Sequence, residues 1–107
     1  MQRIGQVIRL NEGVLAVYKK YHAEIWPEVT AMITQCQIRN YSIWHHNGFL
    51  FASFEYHGVD FAADMARMAA DPKTQEWWAI MKPMQAPLPT RAAGEWWATM
   101  DECFHQD

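Results

Sequence analysis

The chain has 107 residues, half of them hydrophobic, and carries a net charge of −3 with a pI near 5.9. That length fits one domain over residues 1–107 with a real core, and the acidic balance excludes nucleic acid and anionic membranes, which both select basic patches. No apolar run approaches the roughly 20 residues that cross a bilayer, and the N-terminal MQRIGQVIRL lacks a signal-peptide apolar core, so a cytoplasmic protein is expected.

Residues 3–10 alternate Ile4, Gln6, Ile8 and Leu10 against Arg3, Gly5, Val7 and Arg9, the period of a strand, with Asn11 and Gly13 as its exit turn. From Val14 the period lengthens, and Val14, Val17 and Tyr21 mark the inner face of a helix. Pro27 interrupts it and biases Trp26 away from helical geometry, so a break is expected near Trp26. A second helical segment then runs from Glu28 to Cys36, with Val29, Met32 and Ile33 inward. Residues 38–45 and 49–56 read as two strands of a hairpin around Asn47-Gly48, a pair that tolerates positive φ. Asp60 caps a helix with Phe61, Met65 and Met68 inward, and Asp71-Pro72 opens another through Trp77, Trp78 and Met81. Pro83 to Pro89 is expected to cross the surface as an extended passage, and Trp96 to His105 to form the last strand.

The resulting order, β-α-β-β-α-β, is the ferredoxin-like α+β arrangement. The strand Phe49-Leu50-Phe51-Ala52-Ser53-Phe54 is apolar on both faces. Helices cover one face of an antiparallel sheet, and this chain has helices enough for only one. The sheet of a partner subunit is the expected second cover, which gives a homodimer in the form of a dimeric α+β barrel.

Several side-chain groupings have ordinary explanations. Cys36 and Cys103 lack ligand spacing and read as reduced, half-buried thiols. His45 and His46 are neighbours on a strand and point to opposite faces, so they do not chelate one ion, and no metal site is expected. The methionines Met65, Met68, Met81 and Met84 fill the core. Trp77 and Trp78 project about 100° apart on a helix, so one is expected to face a cavity and the other to pack. Trp96 and Trp97, on opposite faces of the last strand, read as structural.

The most unusual segment is Tyr18-Lys-Lys-Tyr-His22-Ala-Glu-Ile-Trp26-Pro27-Glu28. Tyr18 and His22 share one helix face, and the proline break leaves that face at a helix end, where it can line a cavity. Tyr-x-x-x-His followed by Ile-Trp-Pro-Glu resembles the L-rhamnose mutarotase family, as do Asn40-Tyr41-Ser42-Ile43 and the pair Trp77-Trp78. The resemblance is collinear from about residue 3 to residue 82 and departs after it, in the proline-rich stretch and Gly94-Glu95-Trp96-Trp97. It implies a ferredoxin-like dimer, His22 as general acid, and sugar contacts from Tyr18, Tyr41, Trp77 and Trp78. It also implies L-rhamnose as substrate, with L-fucose, another 6-deoxy-L-hexose, as competitor because the C-terminal part departs.

Mutarotation suits such residues. A pyranose opens when a proton reaches the ring oxygen and another leaves the anomeric hydroxyl; the aldehyde turns and recloses as the other anomer. No cofactor is required, and each positioned proton transfer contributes roughly 10²–10⁴-fold. The base stays open between water and a carboxylate such as Asp101. Two other functions fit the same architecture: a monooxygenase, marked by a coloured or oxygen-consuming preparation, and a non-catalytic ligand-binding barrel, in which His22 is dispensable.

Overall fold

The alternating apolar rows place the sheet. In the computed structural model, which describes residues 1–107, β1 (Gln2–Leu10) pairs antiparallel with β3 (Phe49–Tyr56) from Gln2 opposite Tyr56 to Arg9 opposite Phe49. The other edge of β3 pairs with β2 (Ile38–His46), and Asn47 and Gly48 join the two with φ of 52° and 82°. The helices are α1 (Leu15–Ala23), α2 (Pro27–Gln35), α3 (Phe61–Ala70) and α4 (Pro72–Met81). Beyond β1 the last position of the sheet is shared by two short strands: β4 (Gln85–Ala86) pairs with Arg9 and Leu10, and β5 (Ala98–Met100) with Gly5 to Val7. The sheet order β2-β3-β1-β4 is the ferredoxin-like α+β order expected from the sequence, with its final strand split.

The side chains of Leu50, Ala52, Phe54 and Tyr56 all point to one face of β3 and are all buried. Opposite them on β1, Ile4 and Ile8 complete an apolar floor on which the helices lie. Tyr18 from α1, Val29 from α2, and Trp77 and Met81 from α4 cover Ile8, Leu10 and Leu50; Met68 from α3 covers Ile4, Ile38 and Phe54. Fully buried side chains such as Ile8 and Leu50 each contribute about 1.5–3 kcal/mol of apolar transfer.

Local chemistry sets the helix ends. Trp26 is extended (φ −69°, ψ 133°) and Pro27 is the first residue of α2, so the expected break falls between α1 and α2. Asp60 accepts from the Ala63 amide at 3.1 Å to cap α3, and Asp71 accepts from both the Thr74 amide and hydroxyl at 2.9 Å to cap α4.

Three expectations are corrected. Val17 is 51 % exposed, because Tyr18 rather than Val17 turns inward and carries α1 onto the core. The passage from Pro83 to Pro89 does not simply cross the surface. Lys82–Met84 form a 3₁₀ turn docked by Asn11, whose side chain donates to the Pro83 carbonyl at 3.0 Å, and Gln85 then enters the sheet. The last strand covers only Ala98–Met100; Trp96 and Trp97 precede it, and residues 101–107 lie exposed beyond it. No helix is long and apolar enough to cross a membrane.

Candidate functional site

Between the helices and the concave face of the sheet runs a cleft of 1520 Å³, lined by Tyr18, His22, Tyr41, Trp77 and Trp78 together. All five site residues picked out in the sequence therefore reach one space. The volume exceeds the roughly 300–1,000 Å³ of closed small-molecule pockets, as befits a groove open to solvent along one side.

Helical spacing brings the first two together. Tyr18 and His22 sit one turn apart on α1, with ring centroids 4.4 Å apart. His22 Nδ1 lies 2.8 Å from the Tyr18 carbonyl oxygen, an acceptor only, so Nδ1 carries the hydrogen and donates it. In the neutral ring Nε2 is then the bare nitrogen. Desolvation holds the His22 pKa below its usual 6.5, against a smaller opposing push from the Tyr18 carbonyl, so the ring is neutral at pH 7.

Trp77 is buried, and its ring meets those of Tyr21, His22 and Trp26 edge-on at 6.1, 5.3 and 5.2 Å. It braces the His22 imidazole from α4. Trp78 is half-buried, with the Lys82 ammonium 5.2 Å from its ring centroid. Adjacent residues on one helix thus divide into a packed ring and a partly open one.

Tyr41 reaches the cleft through a bulge. Strict alternation from the buried Ile38 turns Arg39 outward, Asn40 inward and Tyr41 outward again. Instead the register steps from Arg39 opposite Glu55 to Ser42 opposite Ser53, so Asn40 and Tyr41 together oppose Phe54. Asn40 takes the left-handed conformation (φ 52°) that the extra residue needs, and Tyr41 falls on the inner face, its ring centroid 5.3 Å from that of Phe54. Although 39 % of Tyr41 is exposed, that surface faces the cleft, where neighbouring atoms still limit hydration. Its phenol is pushed up to about 12, first by desolvation and then by Tyr18. It is a neutral hydroxyl at any ordinary pH.

Two further residues enter the cleft without having been anticipated. Gln85, 9 % exposed, donates from Nε2 to Tyr18 Oη at 3.1 Å. Trp96 donates from Nε1 to Gln85 Oε1 at 2.9 Å. The sequence offered little warning, since Gln85 lies in a proline-rich stretch and Trp96 beside a second tryptophan in an apparent strand.

Asp101, considered as a base, is exposed on the tail beyond β5 and does not line the cleft. Glu95 is the one carboxylate of the lining, and it accepts from the Thr99 hydroxyl at 2.5 Å and the Ala92 amide at 3.0 Å, bonds that hold its pKa down. Two imidazoles line the cleft, His22 and His45, and His22 is the one set among Tyr18 and Trp77. His45 lines the cleft while His46, the next residue on β2, pairs opposite Phe49, so the two share no site.

Comparison with known proteins places these features in a family. The family model described as L-rhamnose mutarotase matches residues 3–106. The chain is 36 % identical to an L-fucose mutarotase of Xanthomonas campestris, an alignment covering 97 % of this chain and 87 % of that one. It is 33 % identical to an L-rhamnose mutarotase of Lactiplantibacillus plantarum over the full length of both. Among solved structures it resembles an L-rhamnose mutarotase from Formosa agariphila (TM-score 0.79, 22 % identity, all of both chains). It also resembles the tetracenomycin F2 cyclase of Streptomyces glaucescens, with a TM-score of 0.75 and 12 % identity over 100 % of this chain and 98 % of that one. These two structural likenesses show the fold.

Proposed function

The chain belongs to the L-rhamnose mutarotase family and is a carbohydrate isomerase, and from that premise we propose how its cleft acts. The enzyme interconverts the α and β anomers of a 6-deoxy-L-hexose, L-rhamnose or L-fucose. The observation that carries the mechanism is the tethered imidazole: with Nδ1–H tied to the Tyr18 carbonyl, His22 offers one nitrogen, Nε2, to the sugar.

Opening begins when Nε2 takes the proton of the anomeric hydroxyl. The C1–O1 bond gains double-bond character, the C1–O5 bond breaks, and O5 takes a proton from a water in the open cleft. The aldehyde rotates about C1–C2. On reclosure O5 attacks the other face of C1 and returns its proton to water, while the imidazolium gives its proton to the carbonyl oxygen. His22 is thus the base of opening and the general acid of closure, the acid role being the one that the family resemblance implies. Tyr18 and Tyr41 stay neutral and hydrogen-bond sugar oxygens. The open part of the Trp78 ring faces the apolar C–H side of the sugar, and Trp77 supports His22 beneath it.

The enzyme works as a homodimer, because the sheet face away from the helices carries Val7, Phe49, Phe51 and the 57 % exposed Trp44. A cytoplasmic setting belongs to the same proposal, and the free thiols of Cys36 and Cys103 suit a reducing compartment. Family membership disfavours both the monooxygenase and the non-catalytic barrel.

Proton NMR saturation transfer between the anomers of L-rhamnose and of L-fucose tests the reaction. Catalytic amounts of protein are expected to speed exchange of at least one sugar over the rate in buffer. A folded sample that speeds neither overturns the function.

A further inference from the structure

Gln85 and Trp96, two members of a hydrogen-bond chain in the cleft, have no part in the steps above. Trp96 donates to Gln85, and Gln85 donates to Tyr18. An indole N–H can only donate, so the Gln85 oxygen has to face Trp96; that fixes which end of the amide meets Tyr18. The amide nitrogen also can only donate, which makes Tyr18 Oη the acceptor. A phenol whose lone pair is occupied in this way must aim its own proton elsewhere.

Each member of the chain is held from a different direction. Gln85 is paired with Leu10 in the sheet and is almost fully buried. Trp96 is fixed a second time by Lys82, whose ammonium lies 5.2 Å from the ring centroids of both Trp96 and Trp78. Tyr18 is anchored by α1, with its ring tilted against that of His22. The arrangement links the segment in which the sequence departs from the family resemblance to a side chain within the resemblance.

The geometry points to Gln85 as a positioning residue for the isomerase reaction: anchored by Trp96, its amide turns the Tyr18 hydroxyl proton into the cleft, toward an oxygen of the sugar. The inference rests on the mutarotase function of the cleft. Tyr18 serves as a fixed hydrogen-bond donor and no bond of the phenol breaks. Burial raises its pKa more than the Gln85 bond lowers it, which keeps the hydroxyl protonated. Orientation set before binding removes a freedom that the sugar would otherwise have to freeze.

The test is a double-mutant cycle in the anomer-exchange assay, with melting temperature and circular dichroism as checks on folding. Gln85→Glu puts acceptors at both ends, so the carboxylate claims the Tyr18 proton and leaves only lone pairs for the sugar; kcat/KM is expected to fall about tenfold or more. Gln85→Met removes both bonds at similar volume and is expected to cost less than Gln85→Glu. Trp96→Phe leaves Gln85 in place but frees its amide, and is expected to lower kcat/KM in the same direction. In a Tyr18→Phe background each change is expected to add less than about twofold. Folded variants with wild-type exchange overturn the inference, and so do losses that persist undiminished without the Tyr18 hydroxyl, because a merely structural role predicts them. Should the Gln85 variants not fold, the Trp96→Phe cycle decides by the same criterion. Wild-type protein that exchanges neither sugar overturns the function itself, a result distinct from an active enzyme indifferent to Gln85.

Discussion

A histidine with one nitrogen tied to a carbonyl has a single titration left to show, at Nε2. For His22 that titration is displaced downward by desolvation, and the pH dependence follows with a definite sign. The folded protein holds the neutral ring to lower pH than the unfolded chain does. Stability linked to His22 is complete above its ordinary value near 6.5 and is lost as pH falls through 6.5 and then through the lower folded value. Activity follows the same group: the acid limb of kcat/KM against pH, after subtraction of the buffer rate, is expected to have its midpoint below 6.5. A midpoint above 6.5, or a rate that rises on acidification, contradicts a neutral His22 as the opening base. His22→Ala is expected to fold and to lose roughly 10²–10⁴-fold in kcat; an unfolded variant marks the residue as structural instead. Tyr41→Phe removes only a hydroxyl that is neutral throughout this range, so its expected signature is a KM raised about tenfold with a smaller change in kcat.

At the scale of elements, the bulge in β2 turns a strand residue into the cleft. It depends on Asn40, whose left-handed backbone costs a β-branched residue about 1–2 kcal/mol. Asn40 also lies near Glu55 and, after His57, helps to hold that carboxyl below its usual range. Asn40→Val is expected to lower the melting temperature and to raise KM as Tyr41 loses its place. Asn40→Gly keeps the backbone and is expected to hold KM near wild type; equal KM values for the two variants sink the argument. The contrast also explains what was legible beforehand. Periodicity and caps act within a few residues, so β1, the Asn47-Gly48 hairpin, the Trp26-Pro27 break and the Asp60 and Asp71 caps could be read directly. The bulge, the docking of the 3₁₀ turn by Asn11 and the pairing of Gln85 with Leu10 depend on partners far along the chain, and local pattern carries no trace of them. Tyr41 illustrates the difference: resemblance to a family placed it in the site, whereas simple alternation along β2 points it away.

For the whole molecule, the open question is the second face of the sheet. One face is filled by four helices, and the register puts Val7, Phe49 and Phe51 on the other, with Trp44 directly opposite Phe51. Arg9 covers part of this surface by lying over the Phe49 ring at 5.1 Å, but Trp44 stays 57 % exposed and Met100 37 %. Contiguous apolar surface of this kind marks an interaction site, and a domain of this size buries only about two-thirds of its unfolded surface by itself. A second copy meeting the first face to face brings the same residues together on both sides, as a twofold contact requires. Light scattering coupled to size exclusion is therefore expected to give twice the 12.5 kDa chain mass. Phe51→Lys, on the outer face and away from the cleft lining, is expected to shift that mass toward the monomer without altering Tyr18 or His22 directly. The residual activity of the monomer then separates two roles for pairing. Retained exchange means that each cleft is complete within one chain, and lost exchange in a folded monomer means that the sheet keeps the curvature of its inner face only when its outer face is covered.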